Sequence, residues 1–277
     1  MKRILSLMLC ALMTVSTFAF TASASQGESP RVDGDTIVYD YKDIFSELVN
    51  RATNATVEKD VTFDGRTCIK FTPTPDQANS SVLTFDHYGL ADKKVKIPLP
   101  DYRFVGFTYY YQSENPSYDG KLFAKFSSPM ACEATSAGNI KVNQWDEAIF
   151  NLSSMAGTAG DLKQMAFRPF NNTNPATLLP TDVIYVDKVT FYKKNPDPNA
   201  RTTISLRKAN PDAKGEDKNY ELKEGEKFTL PENPFTFENG TFLGWKKPGT
   251  NEVVAPGTVI DVPGYDISFD AHWMVSV

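Results

Sequence analysis

From Ile37 onward the chain is a succession of short runs rich in β-branched and aromatic residues, each broken by residues that favour turns. Ile37-Val38-Tyr39, Val61-Thr62-Phe63, Cys68-Ile69-Lys70-Phe71 and Ser81-Val82-Leu83-Thr84-Phe85 come first, separated by Asp64-Gly65 and the stretch from Pro73 to Asn79. Phe104 to Tyr111, Leu122 to Phe126, Ala148 to Leu152, Gln164 to Phe167 and Val183 to Tyr192 continue the pattern. Runs this short must pair edge to edge and stack to bury their apolar sides, which predicts an antiparallel β-sandwich in a mainly all-β chain. One short helix is expected over Ile44 to Arg51, where Ile44, Phe45, Leu48 and Val49 share a face. No glycine-rich loop stands between a strand and a helix, so a phosphate-binding α/β fold is disfavoured.

Asn195-Pro196-Asp197-Pro198-Asn199 interrupts the strand pattern. Its two prolines deny the backbone donors a ladder needs, so a linker is expected over 195–201, between a sandwich at 25–194 and a smaller unit at 202–277. Strand-like runs resume at Thr202 to Leu206, Lys227 to Leu230, Phe242 to Trp245 and Ile267 to Trp273. This unit has no cysteine to staple it. At so small a size its aromatic residues must supply the core, so Trp245 and Trp273 are expected inside it and His272, alternating with them, outside.

The first residues read as an export signal. Lys2 and Arg3 precede an apolar run from Ile4 to Phe20, and Ala22 and Ala24 supply a small-residue cleavage site, which gives a signal peptide over 1–24. The run is at the lower limit for spanning a bilayer, so cleavage is favoured over a membrane anchor and no stable insertion is expected afterwards. Cleavage removes two basic residues and no acid, moving the formal charge from −5 to −7. An acidic chain without a basic block is a poor partner for nucleic acid or an anionic membrane surface. Cys68 and Cys132 remain, and either a disulfide or two separate buried thiols fits them.

Two resemblances follow from particular residues. Gly225-Glu226-Lys227-Phe228-Thr229-Leu230-Pro231, then Asn239-Gly240-Thr241-Phe242-Leu243-Gly244-Trp245, then Ala271-His272-Trp273 resemble the internalin B-repeat (Listeria–Bacteroides repeat) family. That resemblance implies a small β-grasp-like module of exported bacterial surface proteins. The chain departs from it at Lys208-Ala209-Asn210-Pro211, where the family usually carries a glycine pair, so a reshaped loop is expected. In the first unit, Asn143-Gln144-Trp145 leads a strand ending Phe150-Asn151-Leu152-Ser153, and Val183 to Tyr192 reads Val-Ile-Tyr-Val-Asp-Lys-Val-Thr-Phe-Tyr. This order is similar to galactose-binding-like jelly rolls, including carbohydrate-binding modules, and it implies that fold over 25–194.

Little in the residues suggests catalysis. Glu114, Asp119, Glu133, Asp146 and Glu147 offer no spacing that singles out an acid–base pair. A serine triad would have to use His87, one of only two histidines, and no Gly-x-Ser-x-Gly elbow occurs. The jelly-roll resemblance offers Asp187 as a ligand for a structural calcium, but the sequence does not supply the six to eight oxygens such an ion takes, so no metal and no cofactor is assigned. Sugar binding needs exposed rings beside amides, carboxylates or arginine. Along Phe104 to Tyr111 alternation puts Val105, Phe107, Tyr109 and Tyr111 on one face, the more continuously apolar and hence the core side. Tyr110 becomes the exposed ring, with Arg168, Asn171 and Asn172 as hydroxyl partners. The resemblance to jelly rolls implies that Trp145 supports the sandwich edge, so it is not assigned as a sugar platform. The expected protein is secreted or surface-associated, non-catalytic, and binds a polysaccharide; a structural component that binds a surface protein is the alternative.

Overall fold

The structure, a computed structural model, describes residues 31–40, 49–74, 82–86, 97, 101–115, 120–128, 132–153, 164–168, 181–247 and 249–275. Its regular structure is β, with no helix among the described residues. The larger sheet has seven strands: β1 (Arg31–Asp33), β2 (Thr36–Asp40), β4 (Ala55–Phe63), β5 (Arg66–Pro73), β7 (Phe104–Gln112), β10 (Trp145–Asn151) and β12 (Val183–Tyr192). A second sheet has the order β3 (Val49–Thr53), β6 (Val82–Asp86), β11 (Gln164–Arg168), β8 (Phe123–Ser128) and β9 (Cys132–Thr135). All pairings in both are antiparallel.

Strand β12 organises the larger sheet. One edge pairs with β7 from Val183↔Gln112 to Tyr192↔Phe104, and the other is shared by β5, at Ile184 to Val186, and β2, at Lys188 to Tyr192. Beyond β7 lies β10, in register Trp145↔Tyr110 through Asn151↔Phe104. One face is apolar: Val105, Phe107, Tyr109 and Tyr111 of β7 are buried with Ile184, Val186, Val189 and Phe191 of β12 and Ile69 and Phe71 of β5. The second sheet covers this face; Phe167 of β11 places its ring centroid 5.1 Å from that of Phe107. The alternation expected along β7 is therefore observed. The expected helix is contradicted at its C-terminal end, where Val49 to Arg51 lie in β3; the rest of Ile44 to Arg51 falls outside the described residues. Antiparallel pairing of Val49–Thr53 with β6 overrides the local helical spacing, as tertiary context commonly does for short segments.

Cys68 is a free thiol, wholly buried, with Sγ 3.3 Å from the Val61 carbonyl it donates to. Burial pushes its pKa up to about 11, with Asp187 adding to the rise. Of the two readings left open by the sequence, Cys68 takes that of a small buried hydrophobe.

A separate core is built by the C-terminal strands. The sheet order is β14 (Lys218–Lys223), β13 (Arg201–Arg207), β19 (Ile267–Val275), β16 (Gly240–Lys246), β17 (Val253–Val254), and β15 (Lys227–Thr229) pairs β18 (Val259–Asp261) beside it. The first and last long strands, β13 and β19, run parallel at the centre of an otherwise antiparallel sheet, the β-grasp arrangement. Ile204, Leu206, Leu230, Phe235, Trp245, Val262, Phe269 and Ala271 form the core, which shares no residue with the first. Trp245 is fully buried, and its indole N–H donates to the Pro231 carbonyl at 2.9 Å. Trp273 is half-buried and donates to the Lys208 carbonyl at 2.9 Å, while His272 between the ring-bearing positions is exposed. Asn195-Pro196-Asp197-Pro198-Asn199 forms side-chain-capped turns, with Asn195 Oδ1 and Asp197 Oδ1 accepting from the backbone two residues on.

Two backbone positions in this part are exacting. Gly244 has φ of 140°, at a register shift in β16, and a Cβ there would lie 2.6 Å from the Val254 carbonyl oxygen. Gly244→Ala should therefore destabilise the C-terminal core by about 2 kcal/mol or more. Ala209 has φ of 55°, a left-handed conformation costly for a residue with a Cβ, within the loop where the sequence lacks its expected glycines. Ala209→Gly should be neutral to stabilising, by up to about 1 kcal/mol. Urea unfolding followed by tryptophan fluorescence reads both, and equal effects of the two substitutions would contradict this account.

Candidate functional site

The outer face of the seven-stranded sheet, turned away from the sandwich core, departs from an ordinary solvated face. At one end it gathers aromatic rings from four strands: Phe63 of β4, Tyr110 of β7, Trp145 of β10 and Tyr185 of β12. Their meeting follows from register, since Trp145 is directly opposite Tyr110 and Tyr110 is directly opposite Tyr185. Phe63 arrives from the β4–β5 hairpin and lies parallel on Tyr185, centroids 3.8 Å apart at 5°. Tyr110 stands edge-on to Phe63 at 4.8 Å and to Trp145 at 5.7 Å. Tyr185 is buried at the base, whereas Phe63, Tyr110 and Trp145 keep part of their surface in solvent. Rings crossed at such angles satisfy one another's quadrupoles while leaving faces and edges open.

Polar groups fixed around the rings complete the site. The Arg66 guanidinium lies 4.2 Å above the Trp145 ring and donates through Nη1 to Asp187 Oδ2 at 2.7 Å. The Trp145 indole N–H donates to Asp64 Oδ2 at 2.9 Å, and the Tyr185 hydroxyl to Gln112 Oε1 at 3.3 Å. Asp64-Gly65 is the hairpin turn, with positive φ at both residues (46° and 75°), the conformation that Asn/Asp-Gly pairs favour in two-residue hairpins. That turn carries Phe63, Asp64 and Arg66 onto the sheet together. Burial raises the Asp187 carboxyl above its ordinary range, and the Arg66 hydrogen bond and charge oppose that rise. Its second oxygen, Oδ1, is buried with no hydrogen-bond partner.

Further along the same face, past Thr108, lies Glu147. It is two residues from Trp145 on β10, hence on the same side of the strand. Gly106 leaves it room: a Cβ there would be 2.3 Å from Glu147 Oε1. The Tyr192 hydroxyl sits 2.9 Å from each Glu147 oxygen and donates to them. Burial raises the Glu147 pKa, with the Tyr192 hydrogen bond and the Lys188 charge working against it. The Tyr192 hydroxyl is pushed well above the ordinary phenol range by burial and then by the Glu147 charge.

The residues expected from sequence are partly brought together. Tyr110 is on the outer face, as alternation requires, and is half-exposed. Arg168 ends β11, in the other sheet, so its backbone belongs to the opposite layer from Tyr110. Asn171 and Asn172 lie outside the described residues. Trp145, expected as edge support, is on edge strand β10 and also shares the ring cluster, and Phe63, Arg66 and Asp187 join it from strands distant in sequence. Among the described residues no group of three or more histidine, cysteine or acidic side chains is placed to hold a metal.

No family model matches the chain, and no curated protein does. Solved structures that resemble it include the CBM22-2 xylan-binding domain from Paenibacillus barcinonensis Xyn10C, at 12% identity and a TM-score of 0.38 over 56% of this chain and 98% of that one. A CBM29-2 mutant complexed with cellulohexaose gives 9% identity and a TM-score of 0.33 over 58% and 94%. A family 29 carbohydrate-binding module gives 9% and 0.31 over 51% and 75%. At that depth of likeness, what this chain binds has to be argued from its own side chains.

The raised Glu147 pKa has a definite sign for stability. A carboxyl that holds its proton more tightly folded than unfolded contributes stability below the unfolded pKa, and that contribution is lost as pH rises through the folded one. At neutral pH the ionised group is therefore a net burden on the fold. Glu147→Gln, which can still accept from Tyr192, should melt above the wild type at pH 7, with the gap closing near pH 4. Thermal melts across that range check it, and a gap that widens on acidification would contradict the assignment.

Proposed function

We propose that the protein is a secreted, non-catalytic bacterial component that binds a glycan on the outer face of its seven-stranded sheet. Two units carry the chain in this reading: the sandwich over 25–194 holds the ligand, and 202–277, an internalin B-repeat-like module, serves as a spacer or adhesion unit. One observation carries the proposal: Phe63, Tyr110 and Trp145 stand half-exposed over buried Tyr185, ringed by the fixed polar groups of Arg66, Asp64 and Gln112. Sugar rings present CH faces that stack on aromatics and hydroxyls that need oriented donors and acceptors, and this face offers both. The rings sit on strands rather than loops, so a ligand meets a surface already in place.

A second reading has its own observation. Phe63 already covers Tyr185, and Arg66 already covers one face of Trp145, so the cluster also latches the β4–β5 hairpin to the sheet. In that reading the face is structural and the protein is a surface component without a sugar site.

Pull-down of the mature chain on insoluble polysaccharides and a glycan array separates the two. The glycan reading expects retention by at least one neutral polysaccharide. Trp145→Ala and Tyr110→Ala should each weaken it about tenfold or more, in line with the ~1.4 kcal/mol per decade of affinity that a lost stacking contact supplies. Failure to bind any glycan, with both substitutions lowering the melting temperature, leaves the latch alone.

A further inference from the structure

A cavity of about 650 Å³ opens along β10, with Tyr109, Lys141, Asp146, Glu147, Ile149 and Asn195 in its wall. That size suits a small organic ligand or part of a chain. Most of its polar side chains have partners inside the protein: Tyr109 accepts from the Lys141 backbone at 3.0 Å, and the Lys141 ammonium donates to Asp146 at 3.0 Å. Glu147 differs. It belongs both to the cavity wall and to the outer face that carries Trp145. Its two oxygens offer about four acceptor sites, and the Tyr192 hydroxyl supplies one proton between them. Acceptor capacity is thus left over, on a group whose orientation is already fixed by Tyr192 and by the room that Gly106 leaves.

Spacing ties Glu147 to the rings. Two residues along a strand cover ~7 Å, so Glu147 lies about one sugar unit from Trp145 on the same side of β10. We propose that Glu147, clamped by Tyr192, is the hydroxyl-accepting end of the glycan site. The ligand is then a chain of neutral sugars laid along β10, one unit against Trp145 and Tyr110 and the next donating hydroxyls to Glu147. An acidic sugar is refused at that second position, because its carboxylate would meet another one. This inference rests on the glycan reading and adds to it a ligand class and a residue that selects for it.

Isothermal titration of the mature chain tests it, using neutral cello-, xylo- and manno-hexasaccharides, their monosaccharides, and an oligogalacturonate. The expected result is binding of a neutral hexasaccharide, no detectable binding of its monosaccharide, and none of the oligogalacturonate. Glu147→Ala should weaken the hexasaccharide about tenfold, the scale of a hydrogen bond to a charged group. Glu147→Gln, isosteric and folded by the same melting criterion, should keep most of that affinity and admit the oligogalacturonate. Tyr192→Phe, which unclamps the carboxylate, should fall between wild type and Glu147→Ala. Unchanged affinity in Glu147→Ala, with binding lost in Trp145→Ala, overturns the role of Glu147 and leaves the ring platform standing. Equal binding of the oligogalacturonate by the wild type overturns the charge selection. No binding of any hexasaccharide removes both this inference and the reading beneath it.

Discussion

A single register shift in β12 sets both faces of the larger sheet. Strict alternation from Ile184 would continue through Val186 to Lys188, Thr190 and Tyr192, sending a lysine toward the core and Val189 and Phe191 outward. The pairing with β7 instead shifts between Val186 and Lys188, so that Val186 meets Tyr109, Lys188 meets Thr108, and Asp187 is the extra residue. After the bulge Val189 and Phe191 return to the core, wholly buried beside Ile184 and Val186. The outer face receives Tyr185 and Asp187 ahead of the shift and Tyr192 after it. Because β12 is paired along both edges, that one insertion fixes where β5, β2 and β7 present their own side chains. A bulge of this kind re-aims side chains at the cost of one unpaired ladder position.

How much of this was legible in the sequence depends on how local the governing interaction is. Val183 to Tyr192 reads as a strand from composition alone, and the structure gives it those bounds. Alternation along β7 separates Tyr109 from Tyr110 correctly because β7 carries no bulge opposite its own partner β10. The extra residue in β12 leaves no mark in composition, since Asp187 is as acceptable at an ordinary outward position as at a bulge. At Val49 to Arg51 the reason is related: the local spacing suits a helix, but β6 offers Val49 to Thr53 a ladder that isolated turns cannot match. In the C-terminal part, two indoles in so short a stretch pointed to the core, and Trp245 is there with its N–H satisfied.

The ring cluster was only a quarter visible. Tyr110 can be found by counting along its own strand. Trp145, Phe63 and Tyr185 reach it through four strand pairings, and the bonds that hold them span 81 residues from Trp145 to Asp64 and 121 from Arg66 to Asp187. No pattern within one strand encodes such contacts; they are consequences of register. The one local clue was Asp64-Gly65, a hairpin signal that carries an aromatic just before it and an arginine just after it. Such a tip has to lay those side chains somewhere, and on a sheet with rings at the same level the stacking of Phe63 and the seating of Arg66 follow.

The outer face of the larger sheet mixes residue types of different cost. Between Tyr110 and Tyr192 it carries Thr108 and Thr190, the kind of residue that suits a pleated, half-buried surface. Here two carboxyls, Asp187 and Glu147, sit among rings where burial makes their ionised forms unfavourable. Arg66 offsets part of that cost for one, Tyr192 part for the other, and neither uses all of its partner's acceptor sites. Latching the β4–β5 hairpin explains Arg66 and Asp187, which need each other, but it makes no use of Glu147, which touches no part of that hairpin's tip among the contacts observed. Glu147 is a half-buried acid held at fixed orientation, with room cleared for it by Gly106, and the Tyr192 hydroxyl fills only part of its acceptor capacity. In the glycan reading proposed above, hydroxyl donors of the ligand take up that remaining capacity, and this is the difference between Glu147 and Asp187 on which the reading turns.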